Sequence, residues 1–286
     1  MRIFRELRDL SDAPRGASLV LGSFDGVHRG HAALIAAARA RQNPVGVVTF
    51  APHPRLLTQP QQAPFLLTLA EQKYSALRAL GADFCVELPF TREFASISAE
   101  DFVSAILVGR LRAEHVVCGY NFRFGAARKG DVALLEHLGA QLGFSVESVG
   151  PVLGDDGEAY SSTRIRNCLR SGDIAGATAV LGRPWTIEVR FQREPDARDT
   201  RGYFKFGEYL KPLPARYNAR VRSENDILVD ARLIVSQQNH VGWLELPIHS
   251  SRQWEGNIEL DLIELIRPIG VRDWRSETDV ERTCYI

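Results

Sequence analysis

The stretch that most constrains the fold is residues 18–40. It opens with a short apolar run, Leu19-Val20-Leu21, and breaks at Gly22. Small residues recur at Ser23, Gly26 and Gly30, and an alanine-rich run follows from Ala32 to Ala40. An apolar run of that length, ended by glycine, reads as a buried parallel strand, and the alanine run reads as a helix. Strand, glycine-rich loop and helix is the layout of a phosphate site. Glycines let the backbone approach an anion, and the helix N-terminus offers unpaired N–H groups and partial positive charge. The loop has neither G-x-G-x-x-G nor Gly-Lys-Ser/Thr. It carries His28 and His31 instead, three apart across the loop–helix junction, so that both rings can face one site. A lone H-x-x-H more often marks two surface histidines at a helix start. The flanking strand and helix favour a working site.

The rest of the first half repeats this grammar. Pro44–Phe50 is a β-branched strand with Ala51-Pro52-His53-Pro54-Arg55 at its carboxyl end. Thr68 to Glu71 reads as a capping box that opens a helix through Leu80, stopped by Gly81. Asp83–Leu88 reads as a strand, Ser98 with Asp101 as the cap of a helix to about Leu111, and His115–Cys118 as a strand. Gly119–Lys129 is a loop, Asp131–Leu142 a helix and Ser145–Val149 a strand. Gly154–Gly157 is a turn between two short strands. Ser161–Arg166 opens a helix, and another runs from Asp173 to Leu181. This alternation predicts an α/β fold with a doubly wound parallel sheet, whose ligands bind at the carboxyl ends of the strands.

Gly182-Arg183-Pro184 marks a boundary, giving domains 1–184 and 185–286. Beyond it, β-type runs recur at Thr186–Phe191, Asn218–Val221, Ile227–Val235, Trp243–Leu246 and Ile258–Ile266. Pro and Gly turns separate them, which suits a small antiparallel β-barrel.

Composition narrows the partners. The 286 residues carry 35 basic and 35 acidic side chains, so net charge gives no case for nucleic acid or a membrane surface. No signal-peptide core or membrane-spanning run is present in the sequence, so the expected location is cytoplasmic. Cys85, Cys118, Cys168 and Cys284 are scattered, without C-x-x-C, as free thiols would be. No metal-ligand cluster stands out by spacing. A homo-oligomer is left open.

The spacing Gly22-Ser23-Phe24-Asp25-Gly26-Val27-His28-Arg29-Gly30-His31 resembles the nucleotidyltransferase superfamily, in particular its FMN adenylyltransferase (FAD synthetase) branch. Three more blocks follow in register: Thr49 to Pro54, Gly119 to Gly125 with Lys129-Gly130-Asp131, and Ser161 to Arg166. Together they are similar to the bacterial bifunctional riboflavin kinase/FAD synthetase family over residues 15–184. The second half departs from it. That family's kinase domain carries a G-F-P-T-A-N segment, and residues 201–210 here contain no P-T-A-N. Leu213–Val221 and Trp254–Leu262 still resemble strands of its barrel. The resemblance therefore implies a kinase-like barrel without kinase chemistry.

The implied reaction is FMN plus ATP giving FAD and pyrophosphate, with Mg²⁺ arriving on ATP. His28 and His31 would donate to ATP phosphates. Gly22, Ser23 and Phe24 would contact ATP through the backbone. Asp25 is read equally as a loop cap and as an ATP contact. Ser162 and Thr163 would bind phosphate at a second helix start, with Arg164 neutralising charge. His53, Pro54 and Asn121 would serve FMN, while Phe122 and Phe124 are left as core or flavin-facing aromatics. Three alternatives stay open: a bifunctional enzyme, an H-x-G-H transferase for another nucleotide or phosphate acceptor, and a flavin-binding regulatory protein.

Overall fold

The computed structural model describes residues 1–62, 64–194, 201–237, 240–247, 254 and 256–268. Cys284 and Glu255 of the expected barrel segment lie outside these. The chain divides into two compact units, Met1–Ala63 with Thr68–Ser162, and Pro64–Leu67 with Thr163–Ile286.

The first unit is built on six strands: β1 (Arg2–Phe4), β2 (Ser18–Leu21), β3 (Val45–Ala51), β4 (Phe84–Pro89), β5 (His115–Gly119) and β6 (Ser145–Val149). All pair in parallel, in the order β1-β4-β3-β2-β5-β6. The period of two along β2 explains its helices on both faces. Leu19 and Leu21 join one core with Val48, Val86, Phe102 and Leu135, whereas Val20 joins the other with Val47, Leu34, Ile35 and Leu77. The connecting helices are α1 (Arg29–Arg39), α2 (Pro54–Thr58), α3 (Ala70–Ala79), α4 (Arg92–Ala95), α5 (Ala99–Asp101) and α6 (Val132–Leu142). Ser98 caps α5 by accepting from the Asp101 N–H at 2.9 Å, and Asp131 caps α6 by accepting from Leu134 at 3.0 Å. Beyond α5 the chain widens into a π-helical turn at Phe102–Val108, with the Gly109 N–H reaching Ser104 O.

One helix start differs from the sequence expectation. Thr68 does not open a capping box with Glu71. Helix α3 begins at Ala70, and Gln72 Oε1 accepts from the Leu69 N–H at 3.4 Å. The Thr68 hydroxyl is engaged with residues 25 and 26 instead. The turn at Gly154–Gly157 is closed by a single bridge, Leu153 with Ala159, and not by two strands.

The second unit holds a closed barrel in the order β10-β11-β8-β7-β12-β9, antiparallel throughout. Its strands are β7 (Trp185–Arg193), β8 (Arg201–Lys205), β9 (Ala215–Ser223), β10 (Leu228–Val235), β11 (Val241–Glu245) and β12 (Gly256–Pro268). Strand β8 was not among the expected runs. Helices α7 (Ser162–Ser171, all but its first residue) and α8 (Ile174–Leu181) belong to this unit too. So does the excursion Pro64–Leu67. Arg166 Nε donates to Phe65 O at 3.0 Å, Trp185 Nε1 donates to Leu67 O at 2.9 Å, and Leu66 bridges to Tyr209.

Candidate active site

Strand β2 has β3 on one side and β5 on the other, and the chain leaves it toward β3 but returns later through β5. The loops after β2 and β5 thus open at the topological switch point, where a doubly wound sheet binds its ligand. These loops carry residues 22–28 and 120–131.

The first loop is held from several sides. The Gly22 N–H donates to Val48 O at 3.2 Å, and Thr49 Oγ1 donates to Ser23 O at 3.1 Å. Asp25 is buried, and its Oδ1 accepts from the Thr68 N–H at 3.1 Å. Ser162 Oγ donates to Asp25 O at 2.7 Å. Phe24, Gly26 and Val27 have φ of +53°, +86° and +43°. A β-branched residue such as Val27 meets steric strain there, at a cost on the order of 1–3 kcal/mol, and persists only where its surroundings over-determine it. Burial of the Val27 and Phe24 side chains in the core over α1 supplies part of that restraint.

His28 then caps α1. Its Nδ1 accepts from the His31 N–H at 3.3 Å, while His31 Nδ1 accepts from the His28 N–H at 3.3 Å. This is a capping box in which two imidazoles stand where Ser/Thr and Glu usually do. The rings stack at 3.7 Å between centroids, 20° apart, and Phe24 closes on His31 at 4.9 Å. Each Nδ1 needs its lone pair for the cap, so in this geometry each neutral ring carries its proton on Nε2. Burial and the neighbouring His28 hold His31 well below the usual imidazole range, which keeps it neutral. Imidazole N–H donors at a helix N-terminus are groups suited to meeting negative charge.

Gly30 makes the stacking fit. A Cβ there would lie 3.0 Å from Cε1 and Nδ1 of His28 and 3.1 Å from Tyr160 O. Arg29 Nη1 reaches the Tyr160 hydroxyl at 3.4 Å, with its guanidinium over that ring.

The structure therefore gathers Gly22, Ser23, Phe24, Asp25, His28, His31 and Ser162 in one cluster. His53 caps α2 at the carboxyl end of β3, its Nδ1 accepting from the Arg55 N–H at 3.2 Å, with Pro54 in the first helical turn. Asn121 is exposed just beyond β5. Phe122 and Phe124 stack at 5.6 Å; Phe124 is buried in the core that holds Leu135, and Phe122 is partly buried against it. Thr163 is exposed and Arg164 half-buried in the first turn of α7, within the second unit. Sequence reasoning missed Thr68 and Thr49 as supports of the loop. Their contacts to it are 42 and 26 residues distant, and neither leaves a local pattern.

Residues 10–164 match the family described as FAD synthetase. The chain is 37% identical over 208 residues to the bifunctional riboflavin kinase/FMN adenylyltransferase of Escherichia coli (strain K12), covering 71% of this chain and 66% of that protein. It is 41% identical over 194 residues to the protein of the same name from Pseudomonas fluorescens, covering 66% and 62%. The matches thus span just under two thirds of these relatives' length. In fold it is similar to the crystal structure of a macrolide-efflux protein from Streptococcus pneumoniae, with TM-score 0.81 and 21% identity over 99% of this chain and 98% of that one. With the stacked H-x-G-H pair at the switch point and a family match over more than half its length, this chain belongs to the FAD synthetase family.

Proposed function

We propose that the protein transfers the adenylyl group of ATP to the phosphate of FMN, giving FAD and pyrophosphate. The observation that carries this reading is the reciprocal His28–His31 cap inside the matched region. An oxygen of the FMN phosphate forms a bond to the α-phosphorus, and the bond from that phosphorus to the bridging oxygen of pyrophosphate breaks. A phosphate monoester has its second pKa at about 6, so the nucleophile is largely ionised at neutral pH and needs no strong base. The barrier lies in charge, which grows on the leaving pyrophosphate. The two Nε2–H groups and the α1 N-terminus would meet that charge. Gly22, Ser23 and Phe24 would offer backbone to ATP, with Asp25 holding their loop in place. Ser162, Thr163 and Arg164 would bind phosphate, while His53, Pro54 and Asn121 would receive FMN.

Mg²⁺ supplies charge neutralisation when it arrives on ATP. Asp25, the loop's one carboxylate, is engaged by Thr68, so this loop fits a metal held by phosphate oxygens and water, not by a protein cage. The chemistry divides between residues 1–184, which carry the transfer, and residues 185–286, a barrel without riboflavin kinase activity. The absence of P-T-A-N from residues 201–210 supports that division. The charge balance and sequence pattern favour a cytoplasmic enzyme.

An end-point assay tests this. Purified protein with Mg²⁺ and ATP receives FMN in one tube and riboflavin in the other, and the flavins are separated by chromatography. FAD from FMN alone is the expected result. Turnover of riboflavin would restore the bifunctional reading suggested by the relatives' names. No product in either tube would overturn the flavin assignment.

A further inference from the structure

We propose that Thr68 is a positioning residue for the adenylyl transfer, acting through Asp25 and Gly26 to set His28. This rests on the function proposed above. Thr68 is 9% exposed and lies 42 residues from the loop in sequence. Its hydroxyl accepts from the Gly26 N–H at 3.1 Å and faces Asp25 Oδ1 at 3.4 Å, while its own N–H donates to the same Oδ1 at 3.1 Å. Both polar groups of one residue thus grip two consecutive loop residues. The grip falls immediately before Val27, whose backbone sits at φ +43°, and two residues before His28.

A β-branched residue in the left-handed region relaxes if its neighbours let it. Among the groups that oppose relaxation by hydrogen bonds are Thr68 at residues 25 and 26, Ser162 at Asp25 O, and the histidine cap at residues 28 and 31. Thr68 is the one among them that needs no contact with substrate. Helix α3 starts after it, at Ala70, where Gln72 Oε1 accepts from the Leu69 N–H at 3.4 Å. The Thr68 hydroxyl instead faces Gly26 and Asp25. Without it, the Gly26 N–H loses its bond to the Thr68 hydroxyl and the turn can rotate toward ordinary φ. That rotation would carry the His28 ring off the geometry that stacks it on His31.

The test is a pair of variants in the full chain. Thr68→Val keeps the shape and removes the hydroxyl, whereas Thr68→Ser keeps the hydroxyl and removes the methyl. Wild-type protein turning over FMN and ATP establishes the reaction first, and its inactivity would sink the proposed function without bearing on the loop geometry. With an active wild type, Thr68→Val should lower kcat about tenfold to a hundredfold. KM for ATP should move less than about threefold. Thr68→Ser should recover most of the rate. The imidazole signals of His28 and His31 in NMR spectra of the valine variant should shift, and those of the serine variant should stay close to wild type. Glu71→Gln is the control, since it removes the carboxylate that a capping box would use, and its kcat should stay within twofold. Equal rates in the valine variant and the wild type would overturn the proposal. So would equal losses in the valine and serine variants without imidazole shifts, because a role in packing alone gives that pattern.

Discussion

Gly30→Ala separates the geometry of the histidine pair from the stability of the fold. The added methyl would sit 3.0 Å from Cε1 and Nδ1 of His28 and 3.1 Å from Tyr160 O, inside ordinary contact on both sides. A carbonyl of the main chain yields less readily than a ring at the end of one side chain, so the His28 ring moves. Moving it lengthens the Nδ1 bond to the His31 N–H and opens the 3.7 Å stack. Loss of an N-cap costs about 1 kcal/mol. Replacing glycine by alanine inside a helix returns about 0.8–1 kcal/mol, and Gly30 lies in the first turn of α1. The two nearly cancel, so the melting temperature should shift by only a few degrees. The rate has no such compensation. The ring must give by a few tenths of an ångström, and since a misplacement of about 1 Å costs about a hundredfold, a shift of that smaller size should lower kcat by about threefold to tenfold. Initial rates of FAD formation at saturating ATP and FMN, paired with a thermal melt, give both numbers. A variant with unchanged kcat would refute the claim that this stacking sets the site, and a collapse in melting temperature would refute the cancellation.

Acid should destabilise the protein. His31, His115 and His240 are all held below the usual imidazole range, each first by burial, so the unfolded chain binds protons that the folded chain refuses. Stability therefore falls as pH drops below about 6.5, by at most about 1.4 kcal/mol per pH unit for each histidine; urea midpoints at pH 7.5 and 5.5 that coincide would contradict this. Burial pushes the Cys85 thiol up to about 12 and the Cys118 thiol up to about 11. Neither should react with a thiol reagent at pH 8 until the protein is unfolded, and mass mapping of modified peptides shows whether they do. Arg166→Met strips the hydrogen bond to Phe65 O and the guanidinium over the Phe65 ring, both buried. It should cost about 1–3 kcal/mol in urea unfolding, and a change near zero would mean that the methionine packs as well as the arginine binds.

The order of elements in the first unit was readable because its central strands are short apolar runs stopped by a polar or glycine-rich loop. Leu19-Val20-Leu21 and Val45 to Phe50 both obey that rule. The histidine pair was readable too, since its spacing survives in the sequence as it does in space. Thr68 was not. A threonine three residues before a glutamate matches a capping box, and nothing local reveals that its hydroxyl is used by a loop 42 residues earlier. Strand β1 escaped because three residues carry no period. Strand β8 escaped because Gly202 and Tyr203 interrupt any apolar alternation, and it earns its place through partners on β11 and β7. The π-helical turn at Phe102–Val108 is set by tertiary packing, and its composition reads as ordinary helix.

The excursion at Pro64–Leu67 has a consequence for synthesis on the ribosome. Those residues belong to the second unit, yet Leu67 leaves the ribosome 118 residues ahead of Trp185, whose indole it accepts. At about 5–20 residues per second, the segment waits on the order of 6–24 s for that partner. Throughout that interval Phe65 and Leu67, both buried in the finished protein, have no barrel to enter. Cutting the gene at the apparent boundary after residue 184 would make the wait permanent. A barrel expressed alone would begin with an unmatched Trp185 Nε1, and the remaining half would carry two stranded apolar side chains.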